Sequence, residues 1–233
     1  MVALELQKDN PGLSHEELYH KAYEVVMNKH GFRMYNGLRE LLTDHLKQKV
    51  REELLSNLNR NFRSKLNEVW IEHKTSMRML SDMLGYMDRS YAEPRGLESV
   101  YILGLQLFRY EIIEFEDIKQ KLRQNLLDLI EAERLGKSIN ELEIKNVCTM
   151  LHTLGKNTRY VYEQIFEEPF LAQTEKFYER KVGMILEDKT CDFEQEMKLH
   201  IEKESARLTK YLDKETEQKV VKLLEEIIKK YKT

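Results

Sequence analysis

The chain has 233 residues, of which 38 are lysine or arginine and 41 are aspartate or glutamate, so its formal net charge is only −3. Charges this closely balanced create no strong field for nucleic acid or for an anionic membrane, and we expect neither as a partner. Nine glycines and three prolines are too few for the many turns of a β-sandwich or barrel. Two cysteines make no disulfide framework and indicate a reducing compartment, so we expect the chain in the cytoplasm and nucleus.

Helical periodicity runs through nearly the whole sequence, whereas the alternation typical of strands is almost absent. Helices are predicted near residues 14–30, 34–55, 61–91, 97–113, 116–135, 139–154, 160–187, 190–212 and 215–231. Pro94 and Gly96 mark the best candidate for a domain boundary. The sequence therefore predicts an all-α fold with two consecutive helical bundles, at residues 1–95 and 96–233.

The start of the first helix is clearly marked. Ser14 and Glu17 form a capping box, in which the hydroxyl and the carboxylate each accept a hydrogen bond from a free backbone N–H group. Leu13 and Leu18 occupy the two positions of a hydrophobic staple, which fixes how the chain enters the helix. We therefore expect a defined helix start at this point.

This helix carries more aromatic surface than a single core contact requires. One core-facing arc is predicted for Leu18, Ala22, Val25 and Val26. His15, Tyr19 and Tyr23 fall at the edge of that arc. A pair of tyrosines beside a core stripe suits a protein interface, because the rings bury area while the hydroxyls stay hydrogen-bonded. The alternative is that both rings only shield the rim of the core.

The end of the long helix predicted at 61–91 also carries an aromatic residue outside its core stripe. Its core stripe steps by three and four residues, through Met77, Leu80, Leu84, Met87 and Tyr91. Tyr86 is predicted on the opposite, outer face, beside Asp82 and Arg89. Tyrosine and arginine often anchor partner surfaces. A single exposed tyrosine is common, however, so an ordinary solvent-exposed face is an equal alternative.

The sequence contains no P-loop, dinucleotide-binding, zinc-hydrolase or serine-hydrolase signature. Cys148 and His152 are four residues apart and share a helix face, which makes them the most metal-like pair. Two ligands do not complete a zinc site, and the apolar neighbours of Cys148 indicate a buried thiol instead. We expect no enzymatic activity, no cofactor and no metal.

Several segments resemble the cullin family. They are, in chain order, 86–91 (YMDRSY), 104–105 (GL) with 108–109 (FR), 126–134 (LLDLIEAER), 166–171 (FEEPFL), 174–178 (TEKFY) and 207–212 (RLTKYL). The opening, with 12–19 (GLSHEELY), 22–23 (AY) and 29–31 (KHG), resembles the cullin-3 subfamily, whose members recruit BTB-domain adaptors. These matches cover almost the whole chain in order, which makes the resemblance specific.

The resemblance implies a scaffold of cullin-repeat helical bundles stacked in an elongated stalk. Residues 1–95 would form the first, adaptor-binding repeat, and 96–233 the second repeat with the start of the following helix. The implied partners are BTB-domain substrate adaptors, with the BTB-Kelch type expected among them. A RING protein and the ubiquitin-like protein NEDD8 would act only through a C-terminal region that this chain does not include.

Carried over position by position, the resemblance implies an adaptor-binding set: Leu13, His15, Glu16, Tyr19, Tyr23, Tyr86 and Arg89. The set includes the aromatic residues that helical periodicity leaves outside the core. The implied function is the recruitment of adaptors by a non-catalytic subunit of a ubiquitin ligase. An alternative is a short cullin-like decoy that occupies BTB adaptors without delivering ubiquitin.

His15 departs from the family, which usually has phenylalanine at this position. A histidine buries less apolar surface and is harder to dehydrate, so we expect His15→Phe to tighten adaptor binding by about 1–2 kcal/mol. The gain should be largest below about pH 6.5, where the histidine carries charge. Titration calorimetry of both forms against one BTB-domain adaptor checks this, and equal affinities would contradict it.

Overall fold

The computed structural model describes residues 15–187 and 192–231, and every regular element among them is helical, which confirms the all-α prediction. The α-helices are α1 (His15–Met27), α2 (Gly31–His45), α3 (Glu52–Ser56), α4 (Phe62–Met83), α5 (Gly85–Met87), α6 (Val100–Phe108), α7 (Glu116–Arg134), α8 (Glu141–Leu154), α9 (Tyr160–Tyr162), α10 (Glu168–Glu187), α11 (Phe193–Leu208) and α12 (Lys214–Tyr231). Within these described residues, no helix is both long and apolar enough to cross a bilayer.

The chain divides into two compact units between Lys121 and Leu122, a point inside α7. The first unit holds α1 to α6 and the start of α7, and the second holds the rest of α7 and α8 to α12. At the predicted boundary, the short 3₁₀-helix Glu93–Arg95 ends in a left-handed turn at Gly96. As a boundary between sequence repeats, residue 95 stays a prediction.

In the part of the chain that the structure describes, four π-helical segments interrupt or extend the α-helices. They are Leu46–Arg51, Asp88–Ala92, Arg109–Ile113 and Glu163–Glu167. The first and third pack against each other, because Arg51 donates hydrogen bonds to the carbonyl oxygen (2.8 Å from Nε) and the carboxylate (2.7 Å from Nη2) of Glu111. Helical periodicity alone cannot distinguish these wider turns from α-helix.

The prediction of one continuous helix at 61–91 is wrong in its last quarter, because α4 ends at Met83. Leu84, with φ −103° and ψ 13°, leaves the α-helical conformation, and Gly85 follows it. Glycine is unfavourable inside a helix, so the pair makes a natural interruption. The chain then continues through α5 and the π-helical segment Asp88–Ala92, which changes the direction of the side chains beyond Leu84.

A close helix crossing forms the centre of the first unit. Gly104 of α6 lies so near Met77 of α4 that a side-chain carbon at residue 104 would overlap the methionine sulfur. The ring of buried His73 stacks near Phe108 and donates a hydrogen bond from Nε2 to the Gly104 carbonyl oxygen, 2.9 Å away. The core cluster around this crossing contains Tyr35, Leu42, Met77, Leu80, Met83, Met87, Ala92, Val100 and Leu103.

In the second unit, a buried ion pair joins three helices. The side chains of Arg134 and Glu204 are 2% and 1% exposed, and Nε of the arginine donates to Oε1 of the glutamate at 2.9 Å. The Thr174 hydroxyl accepts a further hydrogen bond from Arg134, and the Tyr178 hydroxyl donates to Glu204, both at 2.8 Å. Removing one member of such a pair leaves an uncompensated buried charge, which destabilises a protein by about 3–5 kcal/mol. The network therefore binds α7, α10 and α11 to one another.

The last helix is integrated into the second unit. α12 packs against α10 and α11. Its residues Val220, Leu224 and Ile227 are buried there, whereas Tyr231 at its end is exposed. Most of the apolar side of α12 is therefore covered by helices of the same unit.

Burial lowers the pKa of His73 to about 4, because the charged ring cannot be hydrated in the core. In the folded chain, His73 stays unprotonated down to about pH 4, whereas in the unfolded chain it takes up a proton at about pH 6.5. Stability is therefore lost as the pH falls, by about 3 kcal/mol between about pH 7 and pH 4 from this residue alone.

Urea unfolding of the native chain and of His73→Gln at both pH values isolates this contribution. We expect the variant to be less stable at neutral pH, because it disturbs a buried hydrogen bond, but to lose less stability on acidification. Equal losses in the two proteins would show that His73 does not control the acid response.

Candidate protein-binding surface

The described α1 side chains of the predicted surface lie at or beyond the edge of the core-facing side of the helix. Ala22 is buried, as predicted, whereas Glu16 is exposed, Tyr19 is half-buried and Tyr23 is 37% exposed. The prediction that Val25 faces the core is wrong, since this residue is 36% exposed. Val25 lies about 60° beyond Ala22 around the helix, on the side away from Tyr19, so the core-facing arc is narrower than predicted.

Tyr86 packs directly against α1. The ring centroids of Tyr23 and Tyr86 are 4.5 Å apart, and the Tyr86 hydroxyl donates a hydrogen bond to the sulfur of Met27 at 3.0 Å. The predicted position of Tyr86 on an outer face is therefore wrong, because the interruption at Leu84 turns it toward α1. The residue is half-buried, so part of its ring remains accessible beside Tyr23.

The residues that follow Tyr86 divide into structural and accessible side chains. Met87 is completely buried. Asp88 accepts a hydrogen bond from the backbone N–H of Val100, at 2.9 Å, and thereby holds the start of α6. Partial burial raises the pKa of the Asp88 carboxyl above its usual value. Arg89, in contrast, is exposed and follows Tyr86 by three residues, and its guanidinium lies over Gly85.

The corner between α1 and α2 is closed by a residue other than glycine. Lys29 has a φ of 65°, in the left-handed region, and the N–H of His30 donates to the carbonyl oxygen of Val25 at 3.0 Å. This is the Schellman pattern that commonly ends helices. The helix predicted near 14–30 therefore ends close to the expected place, but Lys29 and not Gly31 adopts the left-handed backbone conformation.

Gly31 is required for a different reason. A side-chain carbon at residue 31 would lie 2.5 Å from Cδ2 of Tyr91 and 2.7 Å from its Cγ, so the tyrosine ring covers this glycine. The ring of Tyr91 also lies 6.2 Å from that of buried Tyr35, and the guanidinium of Arg95 lies over it at 4.3 Å. The contact locks the start of α2 to the π-helical segment that follows Tyr86.

The segments that build both units also match known proteins. Residues 3–233 match the Cullin alpha solenoid domain. The chain belongs to the cullin family. Cullin-3 of Caenorhabditis elegans is 38% identical over 226 residues, which are 95% of this chain and 29% of that protein. Cullin-3 of Dictyostelium discoideum is 37% identical over 220 residues (94% and 28%), and Cullin-4A of Mus musculus is 27% identical over 215 residues (90% and 27%).

These matches confirm the resemblance to cullins and to cullin-3. The cullin chain spans less than a third of the length of the curated relatives it matches. The set of contact residues stays a prediction. In the structure, Tyr23 contacts Tyr86, and Glu16, Tyr19 and Arg89 are at least partly accessible. Met27, which the sequence pattern did not indicate, lies against Tyr86 at the same surface.

Two parts of the prediction concern residues without a structural description. Leu13 and the capping hydroxyl of Ser14 lie outside the described residues, and the side chain of His15 does too. The predicted helix nevertheless has its first described residue at His15, directly after the proposed cap. The capping box and the roles of Leu13 and His15 stay predictions.

The most metal-like pair of this cullin is used in packing. Burial raises the pKa of the Cys148 thiol, which disfavours the reactive thiolate. His152 stacks on the ring of Tyr162, with centroids 4.1 Å apart, and its Nε2 lies 3.1 Å from a carboxylate oxygen of Asp213. Across residues 15–187 and 192–231, no three His, Cys, Asp or Glu side chains are grouped so that they could hold a metal ion.

The Tyr91–Gly31 contact gives a direct test of how the surface is held. Gly31→Ala places a methyl group against the Tyr91 ring, and overpacking of this kind destabilises a protein by about 1–3 kcal/mol. Gly37→Ala in the same helix is the matched control, because nothing lies within 4 Å of the added carbon. We expect it to be neutral or to stabilise by up to about 1 kcal/mol. Urea unfolding distinguishes the two variants, and equal stabilities would contradict the role of Gly31.

Proposed function

We propose that this chain is the adaptor-recruiting part of a cullin scaffold of a ubiquitin ligase, and that it binds BTB-domain substrate adaptors. The observation that carries the proposal is the accessible aromatic pair Tyr23 and Tyr86, formed between two helical elements in a chain with Cullin-3 relatives. Tyr19 extends the pair along α1, and Arg89, three residues after Tyr86 in the chain, adds an exposed positive charge.

The chemistry of this surface suits a stable protein contact. Tyrosine and arginine are enriched among the residues that dominate binding energy, because they bury large areas and keep hydrogen-bonding groups. The rings of Tyr23 and Tyr86 already touch in the unbound chain. Because the two side chains are held in place before binding, less conformational entropy is lost when a partner covers them.

The role proposed for the chain is positional. Repeat proteins in which each helical unit packs on its neighbours can hold bound partners at fixed positions, which is what a scaffold requires. In the proposed complex, a separate conjugating enzyme supplies the catalytic cysteine. A RING protein and NEDD8 engage a region that lies outside this chain.

Titration calorimetry against a panel of purified BTB-domain adaptors tests the proposal. We expect saturable one-to-one binding by the native chain. The double variant Tyr19→Ala, Tyr23→Ala should weaken binding by about a hundredfold or more, because two anchor residues are lost.

Tyr110→Ala is the matched control, since Tyr110 is an exposed tyrosine on another segment of the first unit. It should leave the affinity within about twofold of the native value. Circular dichroism verifies that all variants remain helical. Failure of the native chain to bind any member of the panel, or equal affinities of the native chain and the double variant, would contradict the proposal.

A further inference from the structure

Met27 continues the row of accessible side chains that Tyr19 and Tyr23 form along α1. It follows Tyr23 by four residues and Tyr19 by eight, and side chains at this spacing lie one above another on a helix. The exposed fraction of Met27 is 55%, compared with 37% for Tyr23, so accessibility increases toward the end of the helix. An apolar side chain of this exposure, continuous with two tyrosines, enlarges the surface on which a partner can pack.

A hydrogen bond connects Met27 to the other half of the surface. The Tyr86 hydroxyl donates to the Met27 sulfur at 3.0 Å. A thioether is a weak hydrogen-bond acceptor, so this bond contributes little free energy. The Tyr86 hydroxyl can therefore exchange the sulfur for an oxygen acceptor at little cost. Methionine is also flexible and polarizable, and such side chains adapt readily to the shape of a partner.

We infer, on the basis of the proposed function, that Met27 is a further contact residue for the BTB-domain adaptor. The surface fits a partner that places an apolar side chain over Met27 and a carbonyl or carboxylate oxygen at the Tyr86 hydroxyl. In the complex, the partner oxygen replaces the sulfur as acceptor, and the methionine packs on the apolar side chain. The two parts of the partner must lie next to each other, because Met27 and Tyr86 do.

Four variants test this inference against a purified BTB-domain adaptor by calorimetry. Met27→Ala removes the apolar contact and should weaken binding about tenfold. Met27→Leu keeps the apolar volume without the sulfur and should stay within about twofold of the native affinity. Tyr86→Phe removes only the hydroxyl and should weaken binding about tenfold. Met184→Ala, at an exposed methionine of the second unit, is the control and should have no effect.

The combined variant Met27→Ala, Tyr86→Phe shows whether Met27 contacts the adaptor directly or only holds Tyr86 in position. In the proposed complex the Tyr86 hydroxyl no longer donates to the Met27 sulfur, and that bond is weak, so the two losses should multiply to about a hundredfold. A combined loss no larger than that of Tyr86→Phe, or equal losses for Met27→Leu and Met27→Ala, would overturn direct contact. A native affinity in Met27→Ala would do the same, while loss of binding in the Tyr19→Ala, Tyr23→Ala variant would leave the proposed function intact.

Discussion

The contact between Tyr91 and Gly31 determines how the first unit presents its surface. The corner between α1 and α2 is only three residues long, so the position of Gly31 also constrains the end of α1. Tyr91 belongs to the same π-helical segment as Arg89 and follows Tyr86 by five residues. The packing of the Tyr91 ring on Gly31 therefore helps to fix the helix that carries Tyr23 relative to the one that carries Tyr86.

Several residues that carry the resemblance to cullins have structural roles. In the second unit, Arg134 and Glu133 belong to the quoted segment 126–134. Arg134 pairs with a carboxylate and a hydroxyl from two other helices, and Glu133 accepts from a hydroxyl in the turn after α11. Tyr211, from the segment 207–212, donates to Glu133 at 2.7 Å. In the first unit, Met87 and Asp88 are engaged in the core and at the start of α6. Buried polar groups of this kind depend on hydrogen-bond partners from distant parts of the chain, which ties several positions to one another.

Much of this fold could be predicted from the sequence, because amphipathic periodicity and turn residues are local signals. The end of the helix predicted near 116–135 is confirmed by the φ of 83° at Gly136 and by the hydrogen bond from the Lys137 N–H to the Ala132 carbonyl. The interruption at Leu84 and the π-helical segments were not predicted, because a helical wheel assumes a constant turn. The orientation of Tyr86 and the role of Met27 depend on those departures, so periodicity alone could not reveal them.

The structure separates two kinds of hydrogen-bonding side chain, and the difference indicates which of them suit binding. Glu204 accepts hydrogen bonds from charged and hydroxyl donors in the core, so its capacity is used within the fold. The Tyr86 hydroxyl instead donates to a thioether at a partly exposed position. The Tyr86 hydroxyl would lose little free energy if it exchanged the thioether for an oxygen atom of a partner. Opening the Glu204 network would instead leave a buried charge unpaired. The polar groups that hold the fold and those suited to recognition are thus distinguished by how well their present partners satisfy them.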